Sequence, residues 1–346
     1  MSMKLSQPFH RAVALLWLGG ADLIQAQHHY VFFNRDRERI VEQSFLDAVA
    51  LEGAQLKYAW RELEPTKDIY DFTPIRNNLA FLSAKGKKLF IQLQDVSFDE
   101  SIVNVPRYLQ KDSEYNGGVA RQYRTEGRAR VPEGWVARRW DPAVRDRFYR
   151  LLSALGAEFD GKIEGINLPE TAIGVGEDGD VFPRGFTFEL YRDTVIANMA
   201  ALKKAFPKSV AMQYANFMPG EWIPASDKLY LRGVYQAARK LGVGVGGPDL
   251  LPYRRGQLLH SYPLIKESAG IVPTGIAVQT GNYEHKDPKT GKRVTIPGLH
   301  RFARDNLKVE YIFWSTQEPF YSKDLLPYLK SAKGRGAAVP IAGEQK

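Results

Sequence analysis

Polar and aromatic side chains recur at one kind of place in this chain, at or just past the end of a short apolar run. Gly165-Ile-Asn-Leu-Pro-Glu-Thr171 carries Asn167 and Glu170. Gln92-Leu-Gln-Asp95 carries Gln94 and Asp95, and Tyr58-Ala-Trp-Arg-Glu-Leu-Glu-Pro65 carries Trp60, Arg61 and Glu64. Gln213 and Tyr214 end another run, Asp249 follows the next, and Ile276-Ala-Val-Gln-Thr-Gly-Asn-Tyr-Glu284 sets Gln279 at its end and Glu284 five residues on. Tyr311-Ile-Phe-Trp-Ser315 holds Trp314, with Glu318 shortly after. A buried carboxylic acid beside a second carboxylate can exchange protons near neutral pH. Amides and arginine can hold hydroxyl groups, and an indole face can stack on a ring. Arg61, Glu64, Gln94, Asp95, Gln213, Tyr214 and Asp249 are equally readable as satisfied structural polar groups and Trp60 and Trp314 as core tryptophans, while the alternative for Glu170 and Glu284 is an exposed loop carboxylate.

The elements that would position them follow from periodicity. Eight apolar runs read as strands: His28–Asn34, Ala54–Trp60, Lys88–Asp95, Lys162–Asn167, Ser209–Ala215, Val243–Gly247, Thr274–Gln279 and Glu310–Ser315. Helical spacing separates most of them. Val41, Phe45, Ala48 and Val49 mark a first face, Ile75, Leu79 and Leu82 a second, and Val144, Phe148, Leu151, Leu152 and Leu155 a third. The segment Gln257–Ser268 has the weakest helical pattern. Alternating strands and helices require parallel pairing with crossovers. Eight units predict a single-domain α/β protein, a (β/α)8 TIM barrel over residues 27–335, in preference to an open doubly wound sheet. Its catalytic face would lie at the C-terminal ends of the strands. About 45 residues, Val96 to Trp140, connect the third strand to the third helix, a length typical of a lid or binding loop.

The stretch W-R-x-L-E-P, then Tyr70-Asp-Phe72, then a helix ending in Gly86 and a strand resembles the second and third units of the clan of retaining glycoside hydrolases built on (β/α)8 barrels. The resemblance covers residues 28 to 332 in layout and identifies no particular family. It implies a glycosidase acting on an oligo- or polysaccharide through two carboxylates, one protonating the leaving oxygen and the other, about 5 Å away, attacking the anomeric carbon. Glu170 and Asn167 resemble the clan's acid/base and its neighbouring amide, and Trp314 its aromatic platform at strand eight. Asn167 and Glu170 stand three apart here rather than adjacent. Gln279 occupies the place where the strand-seven nucleophile is expected, so Glu284 is the candidate nucleophile and Glu318 the substitute. Failing both, an inverting enzyme would use Asp95, Asp249 or Glu221 across a wider gap. Trp60, Arg61, Gln94, Asp95, Asn167, Gln213, Tyr214, Asp249, Trp314 and Glu318 are the substrate-binding candidates. The alternatives are a carbohydrate-binding barrel without catalysis and a barrel lyase or isomerase acting on an acidic sugar.

Nothing in the sequence calls for a cofactor or metal. Gly242-Val-Gly-Val-Gly-Gly247 matches a dinucleotide fingerprint literally, but Pro248-Asp-Leu-Leu-Pro252 follows where a helix should open. The chain has no cysteine and 6 histidines, and Glu177-Asp-Gly-Asp180 is too short for a calcium loop. The net charge of +9 favours an anionic partner in general terms. Its densest patch is Arg121, Arg124, Arg128, Arg130, Arg138 and Arg139, which reads as a solvated loop, and no nucleic-acid module accompanies it. Residues 1–26 have the layout of a secretory signal peptide or an N-terminal extension, which points to a secreted or periplasmic protein with a cytoplasmic alternative. Their apolar run is too short to span a bilayer. Residues 336–346 form a C-terminal tail.

Overall fold

A computed structural model of the chain describes residues 27–126, 129–175 and 182–331; the N-terminal segment and the C-terminal tail lie outside the described residues. Eight parallel strands close on themselves: β1 (His28–Asn34), β2 (Gly53–Ala59), β3 (Lys88–Gln94), β4 (Gly165–Leu168), β5 (Val210–Tyr214), β6 (Gly244–Gly247), β7 (Thr274–Val278) and β8 (Tyr311–Ser315). Each pairs with its neighbours in sequence, and β1 meets β8 with His28 opposite Tyr311. The fold is therefore the expected (β/α)8 barrel rather than an open sheet, and every strand lies where its apolar run lies.

Amphipathic helices cover the outside. Pro142–Phe159 buries Val144, Phe148, Leu151, Leu152 and Leu155 on one face. It starts where it does because Asp141 accepts hydrogen bonds from Ala143 N (3.0 Å) and Val144 N (3.3 Å), and Pro142 needs no donor partner at the first position. Thr187 caps Phe188–Ala205 in the same manner. The segment Gln257–Ser268 contains most of two short helices, Arg255–Leu259 and Ser261–Ser268. The first helical face departs from expectation: only a 3-10 turn (Arg37–Val41) and one α-turn (Gln43–Leu46) form, Phe45 is buried, and Val41 and Val49 are exposed. No helix among the described residues is long and apolar enough to cross a membrane.

Side chains alternate between the barrel interior and the helix layer. Tyr30, Phe32, Phe90, Met212, Tyr214, Ala277, Tyr311 and Phe313 form the interior cluster. Glycine makes room for it. A Cβ on Gly246 would sit 2.5 Å from Gly275 O and 3.1 Å from the Tyr214 ring, so the glycine-rich run is a helix C-cap at Gly242 followed by a strand, Gly244–Gly247, beside a large tyrosine rather than a phosphate cradle.

The long connection after β3 builds its own antiparallel sheet from Val96–Ser97, Val119–Glu126 and Ala129–Ala137, with a short helix at Arg107–Lys111. Gln122, buried at its centre, donates to Ser97 O (2.7 Å) and accepts from Gly174 N (3.1 Å), while Tyr123 N donates to Gly174 O (2.7 Å). The connection thereby docks on the segment after β4. Most of its arginines are neutralised or covered: Arg121 pairs with Glu100 and lies over Trp135, Arg124 pairs with Glu126, Arg138 donates to Arg184 O, and Arg139 is buried against Asp95.

Candidate active site at the barrel mouth

The interior phase of the strands continues upward into a cavity of about 300 Å³ at the C-terminal end of the barrel. Its wall takes Phe32 and Asn34 from β1, Lys57 from β2, Gln92 and Gln94 from β3, Pro169 and Glu170 after β4, Tyr214 from β5, Pro248 after β6 and Gln279 after β7. Arg35 sits at the rim, and Ser97, Phe98, Asp99 and Ile102 of the long connection close one side. A recess of about 500 Å³ between Tyr283, Arg293, Phe320 and Lys323 is larger, but it contains none of these residues and no acid/base arrangement. The smaller cavity is the one that gathers the strand-end polar side chains around Glu170.

Glu170 is the carboxyl group at the strand ends of this cavity, and Asp99 of the long connection is exposed at its side. Asn216, directly past the β5 end, donates from Nδ2 to Glu170 Oε2 at 2.5 Å. The amide has only this orientation open to it, because its Oδ1 accepts from Phe217 N (3.0 Å) and Ala172 N (3.3 Å). Burial pushes the Glu170 carboxyl up to about 7. The Asn216 hydrogen bond opposes this, the Asp249 charge adds to it, and Lys57 and Arg139 oppose it less. A carboxylic acid in that range can both give and take a proton near neutrality.

The Glu170 segment is anchored from behind. Arg139 grips Asp95 with both arms, Nε to Oδ2 at 2.8 Å and Nη2 to Oδ1 at 2.6 Å, and donates to Tyr191 OH at 2.8 Å. Tyr191 in turn donates to Thr171 O (3.0 Å), and Thr171 Oγ1 donates to Phe217 O (2.6 Å). This fixes the residue after Glu170 to both the helix layer and the β5 end.

Asp249 follows the cavity residue Pro248. Burial raises its carboxyl above the usual aspartate range, against a hydrogen bond from Asn282 Nδ2 at 3.0 Å. Asn282 is buried and also accepts from Leu250 N (2.9 Å) and Gln279 N (3.1 Å), so it holds the ends of β6 and β7 in fixed relation.

The structure brings some of the sequence candidates together and sends others away. Gln94 and Tyr214 are on the cavity wall. Asn167 lies deeper in the barrel, where it accepts from Gln55 Nε2 (3.0 Å), which also donates to Tyr214 OH (2.9 Å). Asp95 and Gln213 point into the helix layer, Asp95 bound to Arg139 and Gln213 donating to Pro169 O (2.6 Å). Trp314 also takes the outward phase, fully buried, its Nε1 donating to His29 Nδ1 at 3.1 Å and its ring packed near His300. Trp60 is a core residue against Phe148 and donates to Glu64 Oε2 (2.8 Å), while Arg61 lies off the cavity wall. Glu64 is itself bound to Arg147. Glu284 is exposed and accepts from Gln317 Nε2 (2.7 Å), and Glu318 is exposed and accepts from Ser322 Oγ (2.6 Å). Glu221 accepts the backbone N–H groups of Lys228, Tyr230 and Leu231, the role of a helix-end anchor.

Lys57, Asn216, Asn34 and Gln92 were not singled out from sequence. Alternation from Phe32 and Phe90 would have picked Asn34 and Gln92, and alternation from Gln55 would have picked Lys57. Among the described residues no group of three or more His, Asp or Glu side chains is placed to hold a metal ion.

No protein-family model matches the chain, and no curated protein matches it. Among solved structures it is similar to a β-galactosidase from the haloarchaeon Halorubrum lacusprofundi, with 11% identity and a TM-score of 0.53, over 83% of this chain and 52% of that one. It is also similar to xylanase 10B from Thermotoga petrophila, with 11% identity and a TM-score of 0.49, over 89% of this chain and 87% of that one. At such identity the likeness is one of fold, and the fold is the (β/α)8 barrel that the β-galactosidase also has.

Proposed function

We propose that the protein hydrolyses glycosidic bonds in an oligo- or polysaccharide, with Glu170 as the acid/base. The observation that carries this reading is a carboxyl group at the mouth of a barrel, oriented by Asn216 and held protonated up to about pH 7 by burial. In its neutral form Glu170 gives its proton to the leaving oxygen; ionised, it then takes one from water. Asp249 is the partner best placed electrostatically, because its charge is felt by Glu170 and Asn282 fixes its carboxylate. Neither Asp249 nor the first candidate, Glu284, lines the cavity wall itself; Glu284 is exposed and engaged with Gln317, and its charge is not among those acting on Glu170. Amides from Asn34, Gln92, Gln94 and Gln279 supply donors and acceptors for sugar hydroxyls, and Gln92 Oε1 has no hydrogen-bond partner.

The test is turnover on a panel of aryl glycosides and polysaccharides by Glu170→Gln, Asp249→Asn and Glu284→Gln. The first two should fall by about 10²–10⁴-fold, as expected for loss of acid/base participation, and the third should stay within about twofold of wild type. Product stereochemistry by NMR then separates a retaining pair, about 5 Å apart, from an inverting one at roughly 6.5–9.5 Å. Loss of activity with Glu284→Gln but not Asp249→Asn would reverse the assignment of the second carboxylate.

Gln279 at the β7 end favours a second reading, a carbohydrate-binding barrel without turnover. Under it, wild type and Glu170→Gln would bind the same glycans and neither would release product.

A further inference from the structure

Two cations at the mouth stand out by having no counterion. Lys57 projects from β2 into the cavity beneath Arg35, and neither side chain has a hydrogen-bond or ion-pair partner among the described residues. Arg37, which lines the adjoining recess together with Glu62, is by contrast engaged with that carboxylate (2.5 Å), as Arg39 is with Glu42 (2.6 Å) and Arg139 with Asp95. Lys57 instead rests with Nζ 5.5 Å from the centre of the Phe32 ring.

The acids facing them do not neutralise the pair. Glu170, across the cavity, keeps its proton up to about pH 7. Asp99 senses the charge of Arg35, but its carboxylate is occupied by Ser101 N (2.8 Å) and Ser101 Oγ (2.6 Å). The neighbours on β3, Gln92 and Gln94, are uncharged. Burial and the nearby Arg35 draw the Lys57 ammonium down to about 8, a position that an incoming anion would reverse. A half-buried ammonium without a partner is costly to keep unless a ligand supplies the missing charge.

We propose that Lys57 and Arg35 form a subsite for an anionic group, carboxylate or sulfate, on the sugar unit bound next to Glu170. The proposal rests on the glycan-processing reading for the identity of the ligand. It concerns recognition, so it can fail or stand independently of turnover. Lys57 would meet the anion as a point charge from within the cavity, and Arg35 would close over it from the rim with its planar fork.

The experiment is isothermal titration of Glu170→Gln protein, in which cleavage is blocked, with three tetrasaccharide probes: an oligouronide, its methyl-esterified neutral form and a sulfated neutral-backbone oligosaccharide. At pH 6 a charged probe should bind at least about tenfold more tightly than the neutral one, the equivalent of one charge-assisted contact. Preference for the uronide or for the sulfated probe names the anion. Adding Lys57→Met should abolish the preference, the charged probe losing at least about tenfold more affinity than the neutral one, and Lys57→Arg should restore part of it. Arg35→Gln, at an exposed position, serves the same purpose should Lys57→Met not fold. In the Glu170→Gln protein with Lys57 intact, the preference should shrink as pH rises past 8, as the Lys57 ammonium loses its proton. Equal affinity for charged and neutral probes, or equal loss of both in Lys57→Met and Arg35→Gln, overturns the proposal. Turnover of neutral glycans without any charge preference would do so while leaving the hydrolase reading intact. A charge preference in a protein without turnover would leave the subsite standing and remove the hydrolase.

Discussion

Replacing Glu170 by Gln should make the protein more stable above pH 7 while removing the proposed acid/base. The side chains are nearly isosteric, and the Gln oxygen can still accept from Asn216 Nδ2. What changes is the charge. In the folded protein the carboxyl ionises at about 7, against an ordinary value of 4.5, so the folded state binds more protons than the unfolded one between those limits. Stability of the wild type is therefore unaffected by this group below about 4.5 and declines as pH rises through about 7. That interval, at about 1.4 kcal/mol per pH unit, corresponds to about 3 kcal/mol. Gln has no such titration. The stability gap between Glu170→Gln and wild type should open from near zero at pH 4.5 to about 3 kcal/mol at pH 8. For a domain of this size that is a melting-temperature difference of at most about 6 °C, by extrapolation from smaller domains. Differential scanning calorimetry across pH 4.5 to 8.5 measures it directly. A gap that is constant with pH, or that opens with wild type the more stable at pH 8, would show that the carboxyl is not held protonated by burial.

Other consequences can be checked separately. Asn216→Ala removes the hydrogen bond that favours the ionised Glu170, so the basic limb of the pH–rate profile should move to higher pH, and a shift to lower pH would contradict the geometry. Asp95→Ala leaves Arg139 buried without its partner and should cost about 3–5 kcal/mol in denaturant unfolding, since a broken buried pair is worse than none. Trp314→Phe should lower stability by about 1–3 kcal/mol through lost volume and the lost bond to His29, yet leave glycan affinity unchanged. A large drop in affinity would return Trp314 to the binding site.

The barrel was legible because its signal is cumulative: eight apolar runs at regular intervals, most separated by helical stripes, leave few alternatives. The mouth was legible only in part. Position at a strand end was readable, but which of two successive residues faces the axis was not used. Trp314, Gln213 and Asp95 were chosen by proximity to a strand end and turn out to share the outward phase, where helices claim them. Lys57 and Gln92 share the inward phase with aromatic neighbours that mark it, Phe32 through its pairing with Gln55, and Phe90. Asn216 could not be found that way, because its importance lies in two backbone N–H groups that only the folded loops bring to its oxygen.

Gly174 has a consequence for how the mouth can vary. It receives the middle of the strand Val119–Glu126 through Tyr123 and Gln122, and a Cβ there would lie 2.1 Å from Tyr123 O. The hairpin and the Glu170 segment are thus fitted backbone to backbone, with no side chain at that position to act as a shim. Neither loop can be lengthened, swapped or reshaped alone without reopening that seam. Transplanting the hairpin to alter specificity would have to carry residues 170–175 with it as a single cassette.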